Sequence, residues 1–171
     1  MYKGGFFPET KAAYLMAPAS FTGAFYHKKI ENMKYGSLVI EKKEYVLLKR
    51  LMNLSGFYKD EVLRKSVVKL SSELATARIY NETEMPEDVV RINTEVTVKS
   101  EAGWQKTFQL VMPNESNLKD GKISITTPMG SAVIGYAEGD SMEWDFPVGK
   151  QQLTIEKVVQ KNEFINTNMI L

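Results

Sequence analysis

The sequence predicts an α+β fold in which helices come first and a sheet follows. Three observations carry that reading. Apolar residues recur at helical spacing between residues 41 and 80, and from Val90 onward they alternate at strand spacing. Only one later stretch, after Pro128, is helical in character. Together they support an antiparallel sheet with a single short helix behind two longer ones.

Leu38-Val39-Ile40 is a short apolar run, and Glu41–Asn53 follows as a helix with Tyr45, Leu48 and Met52 on one face. Leu54-Ser55-Gly56 ends it, with Gly56 placed for the left-handed cap conformation. A second helix is expected from Lys59 to Tyr80. There Leu63, Val67, Leu70, Leu74 and Ala77 are spaced 4-3-4-3, the seam of a coiled coil. Two such stripes joined by a short loop pack antiparallel, so residues 37–80 read as a helical hairpin. Asp60 and Glu61 stand near its tip, at the start of the second helix, where carboxylates complement the helix dipole. Residues 81–88 read as a linker, with Glu87 and Asp88 in a solvated turn behind Pro86.

From residue 89 to 171 the chain is β-rich. Val90, Ile92, Thr94, Val96 and Val98 alternate as one long strand, Trp104–Met112 forms a second, and Ile123–Thr126 a third. Met142–Phe146 is the fourth, ending at Pro147 and Gly149, and Leu153, Ile155 and Val158 lie in a fifth. Asp120-Gly121 and Gly139-Asp140 mark tight turns. Thr127-Pro128 stops the third strand, because proline cannot donate to a ladder but suits a first helical turn. Ala132, Val133, Ile134 and Tyr136 then make one short buried helical turn. Trp104, Phe108, Tyr136, Trp144 and Phe146 are read as core positions, not as the lining of an aromatic pocket.

Composition excludes several classes of function. With 43% hydrophobic residues the chain can bury a core, and with no cysteine it has neither disulfides nor thiolate metal sites. His27 is the sole histidine, so a multi-histidine metal site is also excluded. No apolar run approaches the ~20 residues that span a bilayer, which points to a soluble, cytoplasmic, non-membrane protein. No phosphate loop and no nucleophile–histidine–acid set is present, so no cofactor and no catalysis are expected. The net charge of +1 hides an asymmetry: residues 1–80 carry about +7 and residues 81–171 about −6. A basic front half suits a peripheral contact to nucleic acid or an acidic protein channel.

Residues 1–36 show no period and contain Gly4, Gly5, Pro8, Pro18 and Gly23, so a flexible extension is expected, with Met33 as a natural start. A secretory signal is disfavoured: Pro18 and Ser20 break the apolar stretch, and Glu9 sits where positive charge belongs.

The run Asp120–Gly149 carries a resemblance. Ile123-Ser124-Ile125, Thr127-Pro128-Met129-Gly130, Ala132 to Gly135, Gly139-Asp140 and Pro147-Val148-Gly149 occur in the order of the C-terminal domain shared by Gre transcript-cleavage factors and Rnk-type regulators of nucleoside diphosphate kinase. Gly139-Asp140-Ser141 with Trp144, and upstream Met85-Pro86-Glu87-Asp88-Val89-Val90 followed by Asn93 and Val96, resemble the Rnk-type version. The resemblance covers about residues 37 to 160. It implies an FKBP-like domain over 89–171 behind the hairpin, and a monomeric regulator that binds RNA polymerase without chemistry of its own.

In Gre factors the loop matching Thr126, Thr127, Pro128, Met129 and Gly130 docks on a coiled coil of the largest polymerase subunit, at the rim of the secondary channel. The resemblance therefore makes these five residues the candidate polymerase-binding site. Two threonines stand where the family often has an acidic or small polar residue and Ser, and Ser131 replaces a basic residue common in Gre factors. Gre factors also carry two acidic residues at the tip of a longer hairpin, which help hold the polymerase's catalytic metal. Asp60 and Glu61 are the matching candidates. Helices of about 13 and 22 residues reach only roughly 20–30 Å at ~1.5 Å per residue, so helix capping is the expected role of the pair. The leading expectation is thus a Rnk-type regulator that competes with Gre-like factors. The alternatives are a Gre-like elongation factor that stimulates transcript cleavage and an FKBP-like prolyl isomerase.

Overall fold

The computed structural model describes residues 33–54, 59–146 and 148–161. The expected cap at Gly56 and the extension up to residue 32 lie outside them. Residues 33–36 are tied down: Met33 is buried, and the Gly36 N–H donates to the Met33 carbonyl at 2.9 Å.

Val39–Glu41 (β1) runs straight into helix Lys42–Asn53 (α1). Glu41 caps that helix, its carboxylate accepting from the backbone N–H groups of Lys43 at 2.7 Å and Glu44 at 3.0 Å. Leu47, Leu48, Leu51 and Met52 form the buried face, while Tyr45 is only partly covered. The second helix, Glu61–Leu74 (α2), is shorter than the expected 59–80. Its stripe holds through Val67, Leu70 and Leu74, but Arg78–Tyr80 leaves the helix as a strand (β2) parallel to β1. Val39 faces Arg78 and Ile40 faces Ile79, and the Arg78 N–H donates to the Leu38 carbonyl at 2.7 Å. A parallel pair needs a crossover connection, and α1 and α2 supply it. The partner of Arg78–Tyr80 is the strand that precedes α1, distant in sequence, so local spacing continued the helix where tertiary pairing ends it.

The main sheet has five strands in the order β5–β4–β3–β7–β6, formed by Lys122–Ser124, Gln105–Val111, Glu95–Ser100, Gly149–Val159 and Ser141–Phe146. Three of the four pairings are antiparallel. β4 and β5 run parallel, which corrects the expected all-antiparallel sheet. The cause is the long connection between them, in which 3₁₀ turns at Pro113–Glu115 and Leu118–Asp120 return the chain before β5 begins.

The long strand expected from Val90 starts only at Glu95. Asn93 takes φ +70°, and the Thr94 hydroxyl accepts from the Arg91 N–H at 3.0 Å, closing a turn. Val90 and Ile92 are buried by that turn, which mimics strand alternation in the sequence. Pro128–Val133 (α3) is the single short α-helix among the described residues of this half. Ile134 and Tyr136 lie beyond it yet are fully buried, because Gly135 (φ +79°) turns the backbone back. Its carbonyl takes the Val39 N–H at 3.0 Å, and its own N–H donates to Val90.

One apolar cluster joins both halves, running from Leu47, Leu70 and Leu74 through Val133 and Trp144 to Val96, Leu110 and Ile155. α2 packs on α3 at that junction. There the Lys69 ammonium lies 3.9 Å from the centroid of the Trp144 ring, a cation–π contact that fixes helix to sheet.

Candidate functional site

The segment Thr126–Gly130 is a corner between β5 and α3, held by a dense set of hydrogen bonds. β5 hands over at Ser124, whose carbonyl accepts from the Thr127 N–H at 3.1 Å and from the Thr127 hydroxyl at 2.7 Å. That same hydroxyl caps α3 by accepting the Gly130 N–H at 3.1 Å, with Pro128 in the first turn. The Ser131 hydroxyl donates to the Thr127 carbonyl at 2.8 Å, and the Ser124 and Thr126 hydroxyls bond to each other at 2.8 Å. Gly130 has no room for a side chain: a Cβ there would stand 2.1 Å from the Ser124 carbonyl oxygen.

The five candidates therefore divide. Thr126 (6% exposed) and Gly130 are buried and build the corner, whereas Thr127, Pro128 and Met129 keep part of their surface in solvent. Met129 also packs on the core, so its exposed part is held on a rigid base.

Asp60 is the N-cap of α2, its carboxylate accepting from the Val62 N–H at 2.8 Å and the Leu63 N–H at 3.2 Å. Glu61 is exposed and pairs with Arg64 at 2.6 Å and Lys65 at 3.8 Å along the same helix. Its hydrogen bond to Arg64 holds its carboxyl below the ordinary range. No group of three acidic or histidine side chains that could hold a metal ion occurs among the described residues. No described helix is long and apolar enough to cross a membrane.

Two polar clusters escaped sequence reading because their members are far apart in the chain. In the first, Asp88 accepts from the Lys34 ammonium and from the Tyr35 hydroxyl at 2.9 Å, so it is an anchor and not the solvated turn expected. Burial pushes the Asp88 carboxyl up, but those hydrogen bonds outweigh it and hold it below its usual value. Asp140, 3% exposed, takes the Lys34 N–H at 2.6 Å and the Ala137 N–H at 2.8 Å; burial raises its carboxyl despite them. In the second cluster Arg91 donates both terminal nitrogens to Glu82 at 2.8 Å each and its Nε to the buried Glu44 at 3.2 Å.

Phe108, Tyr136 and Trp144 are buried and Trp104 partly so, while the side chain of Phe146 is outside the described positions. The Trp104 indole N–H donates to the Gln151 side chain at 3.1 Å. Two open clefts border the strap of residues 33–34 and the end of β7. Their linings, which include Lys34, Asp88, Glu138, Asp140 and Gln160, hold no aromatic side chain.

Residues 85–160 match the family described as "Transcription elongation factor, GreA/GreB, C-term". That stretch is similar to a GreA/GreB C-terminal domain. It holds the Thr126–Gly130 corner, the whole five-stranded sheet and Arg91. Among curated relatives, the transcription elongation factor GreA of Christiangramia forsetii is 29% identical over 98 residues, 57% of this chain and 62% of its own length. The GreA of Hyphomonas neptunium is 31% identical over 104 residues, 60% of this chain and 66% of its own. The chain thus spans less than two thirds of the length of these relatives. A solved structure described as a prokaryotic transcription elongation factor GreA/GreB from Nitrosomonas europaea is 28% identical. It covers 72% of this chain and 98% of its own, with a TM-score of 0.57. The relatives carry the GreA name and not the Rnk-type one, so they favour the elongation-factor alternative over the Rnk-type regulator expected from Gly139-Asp140-Ser141 and Trp144.

Proposed function

We propose that the protein is a Gre-type transcription elongation factor that binds RNA polymerase through its GreA/GreB C-terminal domain. The observation that carries this reading is the Thr127-Pro128-Met129 corner. It is fixed from behind by the Ser124 and Gly130 backbone, with partly exposed side chains facing outward. A rigid proline corner with a hydrophobic side chain beside it loses little entropy on meeting a partner helix. Its intended partner is the coiled coil of the largest polymerase subunit at the secondary channel, with the factor acting as a monomer in the bacterial cytoplasm. Core polymerase should be captured by the wild-type protein and much less by Pro128→Ala or Met129→Asp, both checked for unchanged melting. Equal capture by all three would remove this corner from the interface.

A second element of the reading is that Asp60 and Glu61 serve transcript cleavage while the polymerase performs the chemistry. Both carboxylates lie at the exposed start of α2, at the outer end of the hairpin. α1 has 12 residues and α2 has 14, so at ~1.5 Å per residue the arm is about 20 Å long. Stalled elongation complexes decide the matter. If the pair acts in cleavage, wild type shortens the transcript and Asp60→Ala with Glu61→Ala does not, while capture of polymerase persists. If the wild type leaves the transcript intact, the factor works by occupancy alone. The basic hairpin would then serve only as a peripheral contact to nucleic acid.

A further inference from the structure

We propose that Glu44, Arg91 and Glu82 form a proton-linked latch that holds α1 on the C-terminal domain. The three residues come from three places: Glu44 from α1, Glu82 from the turn after β2, and Arg91 from the turn before β3. Among the described residues Arg91 is the group that touches both carboxylates, and its contacts are unequal. It gives Glu82 a two-pronged bond, 2.8 Å on each prong, and gives Glu44 only its Nε, at 3.2 Å.

Burial is unequal in the opposite sense. Glu82 keeps 62% of its side chain in solvent, whereas Glu44 keeps 1%. The buried carboxylate, which most needs a counter-charge, thus has the weaker share of the guanidinium. The other charged groups facing the cluster are few. Glu41, buried at the end of β1, adds like charge beside Glu44 while its own oxygen is engaged with the Lys43 and Glu44 N–H groups. Lys43 acts on Glu82.

The consequence for protons follows directly. Desolvation raises the Glu44 carboxyl from 4.5 to about 7; Arg91 opposes the rise and Glu41 adds to it. A carboxyl whose folded value is raised contributes stability fully present below its unfolded value. That contribution is lost as pH climbs to the folded value, here across 4.5 to about 7. Neutral Glu44 sits at ease under α1. Ionised Glu44 is a buried charge holding one nitrogen of a shared guanidinium, and the α1 contact opens more often. The latch is therefore tight in mild acid and loose at neutral and higher pH.

Amide hydrogen exchange of the full chain tests this, read as protection factors for β1 and α1 so that the intrinsic pH dependence cancels. Between pH 5 and 7.5 wild-type protection should fall at least tenfold, with a ceiling of about 300-fold set by the carboxyl shift. Glu44→Gln, which keeps shape and polarity but does not titrate, should show no such fall. The Glu44 carboxyl signal, followed by NMR, should titrate near neutrality in wild type. It should move to lower pH in Glu82→Gln, which frees the guanidinium for Glu44. Four results would overturn the latch: a Glu44 carboxyl titrating in the ordinary range, the same profile in Glu44→Gln, wild-type protection flat with pH, or a midpoint unmoved in Glu82→Gln. Should Glu44→Gln fail to fold, the two carboxyl titrations decide alone.

Discussion

Replacing Gly130 by alanine probes the corner on which the docking proposal rests. A Cβ at this position would lie 2.1 Å from the Ser124 carbonyl oxygen, 2.8 Å from its carbon and 2.9 Å from the Ile125 Cα. All three obstacles are backbone, so no rotamer change relieves them, and α3 would have to withdraw from β5 by roughly 1 Å. Overpacking of this kind costs about 1–3 kcal/mol. The withdrawal also stretches the 3.1 Å bond from the Gly130 N–H to the Thr127 hydroxyl, a cap worth about 1 kcal/mol. The sum, about 2–4 kcal/mol, corresponds to a melting temperature lower by about 5–15 °C for a chain of this size. Thermal unfolding followed by circular dichroism measures it. Thr127→Ala should show the cap loss alone, and Thr127→Ser should stay near wild type. If Gly130→Ala melts within about 2 °C of wild type, the close approach of α3 to β5 is wrong as described.

Three further outcomes are expected. Asp60→Ala should cost about 1 kcal/mol in urea unfolding through the lost cap of α2, whereas Glu61→Ala, at an exposed position, should leave the unfolding midpoint where it is. Arg91→Ala leaves Glu44 buried without its counter-charge and should cost about 3 kcal/mol at pH 8. The loss should shrink at pH 6, where Glu44 escapes by taking a proton, and parallel melts at the two pH values check this. Asp88→Asn should cost about 1 kcal/mol near neutrality, since Lys34 is half-exposed and solvent screens the pair. Asp88 has a lowered carboxyl, so its contribution is present above the ordinary carboxylate value and lost in acid. Wild type and variant should therefore converge as pH falls towards 3.

What was legible in the sequence was what is decided locally. α1, the stripe Val67–Leu70–Leu74, the capping place of Asp60 and the Thr127-Pro128 entry to α3 depend on neighbours within one or two turns of the chain. The Pro128 corner was singled out as a candidate site by its resemblance to the Gre docking loop, which short motifs in sequence order carry. Distant partners decided the rest. Arg78–Tyr80 continues an apolar helical period but is captured by β1. Val90–Thr94 alternates like a strand but folds as a turn around Asn93 at φ +70°. β5 takes its direction from the two turns that precede it. The charged clusters were beyond reach altogether, because Glu44 and Arg91 are 47 residues apart and Lys34 and Asp140 are 106 apart. No spacing rule links such residues.

The parallel pairing of β1 with β2 has a consequence for how this architecture can vary. The segment between them leaves after Glu41, the last residue of β1, and returns at Arg78, the first of β2, which pairs with Val39. Both feet of the arm thus stand on one short strand pair, itself bolted to the domain by the bond from Val39 to Gly135. Length can then be added or removed away from that footing, in matched turns of α1 and α2. The footing, the sheet and the Pro128 corner would not feel the change. Reach and grip are separate variables here: one is set by how many helical turns stand on the base, the other by the domain beneath it.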